Sequence, residues 1–202
     1  MSAERIISVV AGGWSVSTID LLQIPGTIIA VNDAAIHLPR CDLIVSMDRL
    51  WVEYRWPELR KMMKPAHIRR SALKNIRDKW PWLNSFECDH TSTRFSSQQG
   101  VLNGTNSGLC GFNLAWQMRP EKILLFGFDM QRGPNGEPYW YPPYPWSDKG
   151  ATKNGKYAEW SKQFSRAAQI CADDRIDVAV VGNSAIDVFR KIPASEFSRI
   201  AA

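Results

Sequence analysis

Apolar and polar positions along the chain follow a repeating order. A short run of β-branched and aliphatic residues ends in Gly, Asn or Asp, and a stretch with helical spacing comes after it. Ile6–Ala11 (IISVVA) is the first such run, then Thr27–Val31, Asp42–Ser46, Lys122–Phe126 and Asp177–Val181, with weaker strand signals at Ala66–Arg70 and Ser85–Cys88. Between them Val16–Leu22, Arg49–Met63, Ser107–Met118 and Tyr157–Asp173 read as helices, with a short helix after Asp33 and a closing helix starting in Ser184–Phe189. In the second of these, Leu50, Tyr54, Leu59 and Met62 are expected on one face. Strands that are continuous apolar runs, alternating with helices, predict an α/β fold: a mostly parallel sheet with helices on both faces. With no repeat and no low-complexity linker, residues 1–202 are expected to form a single domain.

In open α/β sheets ligands bind beyond the carboxyl ends of the strands. The unusual residues fall at those ends: Gly12-Gly13, Asn32-Asp33, Asp48, Gly127-Phe128-Asp129 and Gly182-Asn183-Ser184. The first, in AGGWS, matches neither GxGxxG nor GxxxxGK[ST], which argues against an ordinary dinucleotide fold and a P-loop kinase. It is either a tight strand-to-helix turn or a place where backbone approaches a phosphate, with Ser15 or Ser17 capping the helix after the turn. GTNSG (Gly104–Gly108) offers the same two readings at the start of an apolar helix, through Asn106, Ser107 and Gly108. Asp48 and Asp129 are loop caps, or else a base or the ligands of a divalent metal. Gly133–Trp146 (GPNGEPYWYPPYPW) is too rich in proline for a helix.

Composition narrows the classes. No apolar run approaches the roughly 20 residues that span a bilayer. The first residues lack the zones of a signal peptide, so a cytoplasmic location is expected. The net charge of +5 has a local source in Arg55, Arg60, Lys61, Lys64, Arg69, Arg70, Lys74 and Arg77, set against Glu58 alone. That stretch suits an anionic partner, nucleic acid included, or is a solvated basic face. The nine tryptophans line a site or simply pack. The four cysteines show no metal spacing and read as reduced, buried small residues. His37, His67 and His90 are far apart, and no G-x-S-x-G elbow occurs.

Taken in order, these segments resemble the Rossmann-like superfamily of glycosyltransferase family 42 sialyltransferases and 6-hydroxymethylpterin diphosphokinase-like proteins. VVAGGWSVSTIDLLQIP (Val9–Pro25) is similar to its first strand, Gly-rich turn and short helix, with Trp14 where proline is usual. AVND puts Asn32 at the end of the second strand, CDLIVSMD puts Asp48 at the end of the third, and NSGLCGFNLAWQMRPEKILLFGFDM (Asn106–Met130) resembles the helix–strand block of both branches. VVGNSAIDVFRKIP is similar to their closing segment. The resemblance implies a transferase for a nucleotide-activated donor, such as a CMP- or UDP-sugar. Gly12, Gly13, Ser15, Asn32, Asp33, Asn106, Ser107 and Gly108 would surround the nucleotide, and Tyr139 would contact the leaving phosphate. A divalent metal is compatible with it. The sialyltransferases carry a catalytic histidine before the late helix, where this chain reads SDKGATKNGKYAEW. The base would instead be Asp129, Asp48, Asp148 or a metal-bound group, and the aromatic loop 133–150 a lid. Pyrophosphoryl transfer, and a nucleotide- or DNA-binding protein without chemistry, are the alternatives.

Overall fold

A computed structural model describes residues 4–76, 80–89, 92, 94–146 and 154–200. Its strands are β1 (Ile6–Val10), β2 (Thr27–Val31), β3 (Leu43–Ser46), β4 (Ala66–Arg69), β5 (Leu83–Phe86), β6 (Lys122–Phe126), β7 (Asp177–Val181) and β8 (Arg190–Ile192). They form one sheet in the order β5-β4-β3-β2-β1-β6-β7-β8, and every pairing is parallel. The helices are α1 (Ala34–His37), α2 (Arg49–Met62), α3 (Ser107–Gln117), α4 (Asn154–Asp173) and α5 (Ala194–Ile200). This is an α/β Rossmann-like architecture. No helix among the described residues is long and apolar enough to cross a membrane.

Strand side chains alternate between two apolar layers, as the period of two requires. Val10, Ile28, Ala30, Ile44 and Phe126 face α2 and α5, where they meet Trp51, Trp56, Leu59 and Phe197. Val9, Ile29, Val31, Val45 and Leu125 face α3 and α4, among Leu109, Phe112 and Phe164. Gly111 is what lets α3 lie this close, since a Cβ there would stand 3.1 Å from Val31 and 3.2 Å from Val9. Ser8, within the central strand, is fully buried and donates its hydroxyl to the Pro25 carbonyl at 2.7 Å.

Four local expectations are corrected. Val16–Leu22 is not an α-helix but two 3₁₀ turns, Trp14–Thr18 and Leu21–Gln23, divided where Asp20 caps the Leu22 N–H. The inward face of α2 is Trp51, Val52, Trp56 and Leu59, while Leu50 and Tyr54 are exposed. The weak strand near Ser85 lies earlier, at Leu83–Phe86. Ser184–Phe189 begins no helix: the Ser184 hydroxyl bonds the Phe128 carbonyl and the Ile186 N–H, and the chain enters β8 before α5 starts behind Pro193.

Candidate functional site

The sheet reverses its winding between β1 and β6, and the crevice beyond that pair is where such folds bind ligands. Here it is a cleft of about 410 Å³. Gly12, Gly13, Asn32, Asp48, Asn106, Ser107, Gly108, Asp129 and Tyr139, all expected at the site from sequence, line it together. Ser15 and Asp33 do not. Asp148 lies outside the described residues.

The glycine turn answers to packing. Gly13 donates its N–H to the Gly127 carbonyl at 2.9 Å, so that amide is already committed. A Cβ at Gly13 would clash with the Asp129 carboxylate and the Gly127 carbonyl, and one at Gly12 with the Tyr141 hydroxyl. The turn therefore brings β1 hard against the end of β6 and admits the aromatic loop. Ser15 sits behind the wall, donating its N–H to Asp129 Oδ2 at 2.8 Å and its hydroxyl to Oδ1 at 2.5 Å. Asp129 is only 5% exposed, and burial raises its pKa to about 6 despite those two bonds.

Asp33 is taken up by the fold rather than offered to a ligand. It is 1% exposed, and both its oxygens accept from Arg55, at 2.9 and 2.8 Å, while Trp51 Nε1 donates to Oδ1 at 2.7 Å. Arg55 also pairs with Glu58, so this partly buried cation of the basic stretch is neutralised within the fold. Arg70 pairs with Glu87, and Arg77 lies outside the described residues. The network holds the residue beside Asn32, whose backbone takes a left-handed φ of 52°, a conformation that asparagine tolerates better than most residues.

α3 starts at the cleft with Asn106 as its N-cap, Oδ1 accepting from the Leu109 N–H at 3.0 Å. The N–H groups of Ser107 and Gly108 open the helix and have no intrahelical acceptor. The Ser107 hydroxyl accepts from the Met47 N–H at 3.1 Å and so ties α3 to the end of β3. Asp48 caps α2 through Oδ1, on the Leu50 and Trp51 N–H groups. Four buried side-chain polar atoms lack a hydrogen-bond partner among the described residues, and two of them, Asn32 Oδ1 and Asn106 Nδ2, belong to cleft residues. Leaving such an atom unsatisfied costs about 1–3 kcal/mol. A ligand that supplied the partner would recover that.

The far wall is aromatic. Tyr139 stacks on Tyr141 with ring centroids 5.3 Å apart, and Tyr144 stacks on Trp146 at 5.0 Å. The loop is fastened to the chain just beyond β1: Trp140 donates its backbone N–H to Gly12 O at 3.2 Å and its Nε1–H to Ala11 O at 2.9 Å. Its described part is thus a packed wall of the cleft. Burial raises the pKa of Tyr139 and keeps its phenol a hydrogen-bond donor. Tyr157 and Trp160 complete the lining from the first turns of α4. Sequence reasoning passed over them, although an aromatic pair spaced three apart at a helix start is a visible signal. Among the described residues no group of three or more His, Cys, Asp and Glu side chains gathers to hold a metal ion, and no histidine lines the cleft.

Sheet order and the cleft at the switch point together define the class of fold as α/β Rossmann-like. Among solved structures the chain is similar to the sialyltransferase CstII from Campylobacter jejuni, determined in complex with the substrate analogue CMP-3FNeuAc. The TM-score is 0.58 at 11% identity, covering 94% of this chain and 86% of that one. The likeness shows the fold. No family model and no curated protein sequence matches the chain.

Proposed function

We propose that residues 1–202 act as one nucleotide-binding unit that transfers a glycosyl group from a nucleotide-activated donor, of the CMP- or UDP-sugar kind, to a hydroxyl acceptor. The observation that carries this is the pair of buried, unpartnered amide atoms, Asn32 Oδ1 and Asn106 Nδ2, beside the open N-terminus of α3. One is an acceptor and the other a donor, a combination suited to a nucleoside and its phosphate. The fold likeness to a protein solved with a CMP-sugar analogue points the same way.

In this mechanism the α3 N–H groups hold the phosphate, because a helix terminus offers unsatisfied donors and a favourable dipole. Tyr139 donates its phenol to the departing phosphate oxygen. Stabilising that charge with donors already in place is the largest contribution such a site can make. Asp129, poised by burial near pH 6, takes the proton of the attacking hydroxyl while Ser15 holds its carboxylate in one orientation. Asp48 is the other carboxylate on the cleft among the described residues. Tyr157 and Trp160 offer ring faces on which a sugar can stack.

A thermal-shift panel of CMP, UDP, GDP and ATP, each with and without Mg²⁺, tests the assignment. One cytidine or uridine nucleotide should raise the melting temperature by several degrees, which corresponds to about 2.7 kcal/mol of stabilisation at a hundred times Kd. Absence of a shift with all four nucleotides contradicts the proposal. A shift with ATP alone would redirect it to pyrophosphoryl transfer.

A further inference from the structure

Two of the four cysteines meet beneath the start of α3. Cys88 follows β5, directly after the isolated bridge between Glu87 and Val101. Cys110 lies in the first turns of α3, and the two Sγ atoms are 4.0 Å apart. Their surroundings differ. Cys110 is 0% exposed, and its thiol faces the Leu102 carbonyl. Cys88 is half-buried, with its sulfur 3.3 Å from the Gly104 carbonyl. Cys41 and Cys171 are buried elsewhere, one in each apolar layer.

The chemistry of the two thiols is correspondingly split. The hydrogen bond with Cys110 lowers the pKa of Cys88, against burial and with help from the Gly104 backbone and the charge of Arg69. The same bond, together with burial, raises that of Cys110. The thiolate is the reactive form of cysteine, so the reactive member is also the accessible one.

We propose that Cys88 and Cys110 are a reversible dithiol–disulfide pair, in which Cys88 reacts with hydroperoxides and Cys110 resolves the product. The Cys88 thiolate attacks one oxygen of ROOH, the O–O bond breaks, and the alkoxide leaves and takes up the proton that Cys88 released. Sulfur is oxidised by two electrons to the sulfenic acid, and the peroxide is reduced to ROH. Cys110 sulfur then attacks Cys88 sulfur, the S–O bond breaks, and hydroxide departs with the Cys110 proton as water. In sum, two thiols and ROOH give one disulfide, ROH and H₂O. The sulfurs must close from 4.0 Å to a bond of about 2.05 Å. Cys88 lies outside the named strands and supplies the movement, while α3 holds Cys110. The ring so formed contains Gly104, Asn106 and Ser107, the last two on the cleft wall.

The test uses the intact protein. Untreated protein at pH 7 is labelled with limiting iodoacetamide, and a second sample is exposed to a few equivalents of H₂O₂, alkylated and digested without reductant. Cys88 should label at least about tenfold faster than Cys41, Cys110 or Cys171, in line with thiolate character and exposure. The oxidised digest should contain one Cys88–Cys110 cross-linked peptide that a dithiol reductant removes. Cys110→Ser should accumulate a dimedone-reactive sulfenic acid at Cys88, and Cys88→Ser should form no disulfide. Equal labelling of all four thiols, oxidation spread over them, or a sulfinic acid at Cys88 with no cross-link overturns the proposal. If either variant fails to fold, the two wild-type measurements decide alone. None of these readouts depends on nucleotide binding or transfer.

Discussion

Asp129→Asn should lose transfer activity by about 10²–10⁴-fold, the range expected for removal of a general base, while still binding nucleotide. The substitution is conservative at this position. An asparagine carbonyl can accept from the Ser15 N–H, and its amide can donate to the Ser15 hydroxyl, so both anchoring contacts have replacements. What disappears is proton uptake. In the wild type, activity should fall as the pH drops below about 6, because the group must be ionised to act as a base. Stability should move in the opposite sense. The folded carboxyl titrates above its unfolded value of 3.8, so the native state binds the proton more tightly. Its contribution is therefore fully present below about pH 4 and lost as the pH rises through 6. Rates of nucleotide release and urea unfolding at pH 5 and pH 7.5, on both proteins, check the two signs. An Asp129→Asn enzyme with wild-type turnover would remove this residue from the mechanism.

Arg55→Ala should have the largest effect on stability, because it strands the Asp33 carboxylate in the interior. Asp33 is 1% exposed and would keep Trp51 Nε1 as its one strong donor, beside a distant His37 at 3.8 Å. Removing one partner of a buried ion pair costs about 3–5 kcal/mol. For a chain of this size that is a fall of roughly 10 °C in melting temperature. The double variant Asp33→Asn/Arg55→Met removes the charge problem, and an asparagine Oδ1 can still accept from Trp51, so it should recover most of the loss. Urea unfolding followed by tryptophan fluorescence measures all three proteins. A single variant within about 1 kcal/mol of wild type would show that the pair is not what holds the second strand end in place. The single variant should also bind nucleotide more weakly, since Asn32 depends on its neighbour for its backbone geometry.

Much of this site was legible because strand ends are legible. An apolar run that stops at Asn32, Asp48 or Asp129 marks both the carboxyl edge of a parallel sheet and the side chains carried there, and those residues do meet in one cleft. The strand β8 escaped notice because RKI holds a single buried position, Ile192, between cations and a proline. The inward face of α2 was misplaced since Leu50 and Tyr54 have the same helical spacing as a buried stripe. Asp33 shows the deeper limit. Beside Asn32 in sequence it looks equally available, and only Arg55, a helix away, decides that it turns inward. The role of the glycine turn was illegible for a related reason: that the Gly13 amide is taken up depends on Gly127, which lies in another loop. Cys88 and Cys110 likewise show no motif, and tertiary packing alone brings them together.

Calorimetric titration of CMP and of UDP into the wild type, Asn32→Gly and Asn106→Asp would probe the central claim most directly. Glycine preserves the left-handed backbone at Asn32 while removing the orphaned oxygen with the rest of the side chain, and aspartate preserves the helix cap at Asn106 while exchanging the orphaned donor for a charged acceptor. The wild type should show one site for one of the two nucleotides, weakened about tenfold or more in each variant, as the loss of a 1–3 kcal/mol interaction requires. Affinity unchanged by both substitutions, or no binding by the wild type, would mean that this cleft is not a nucleotide site.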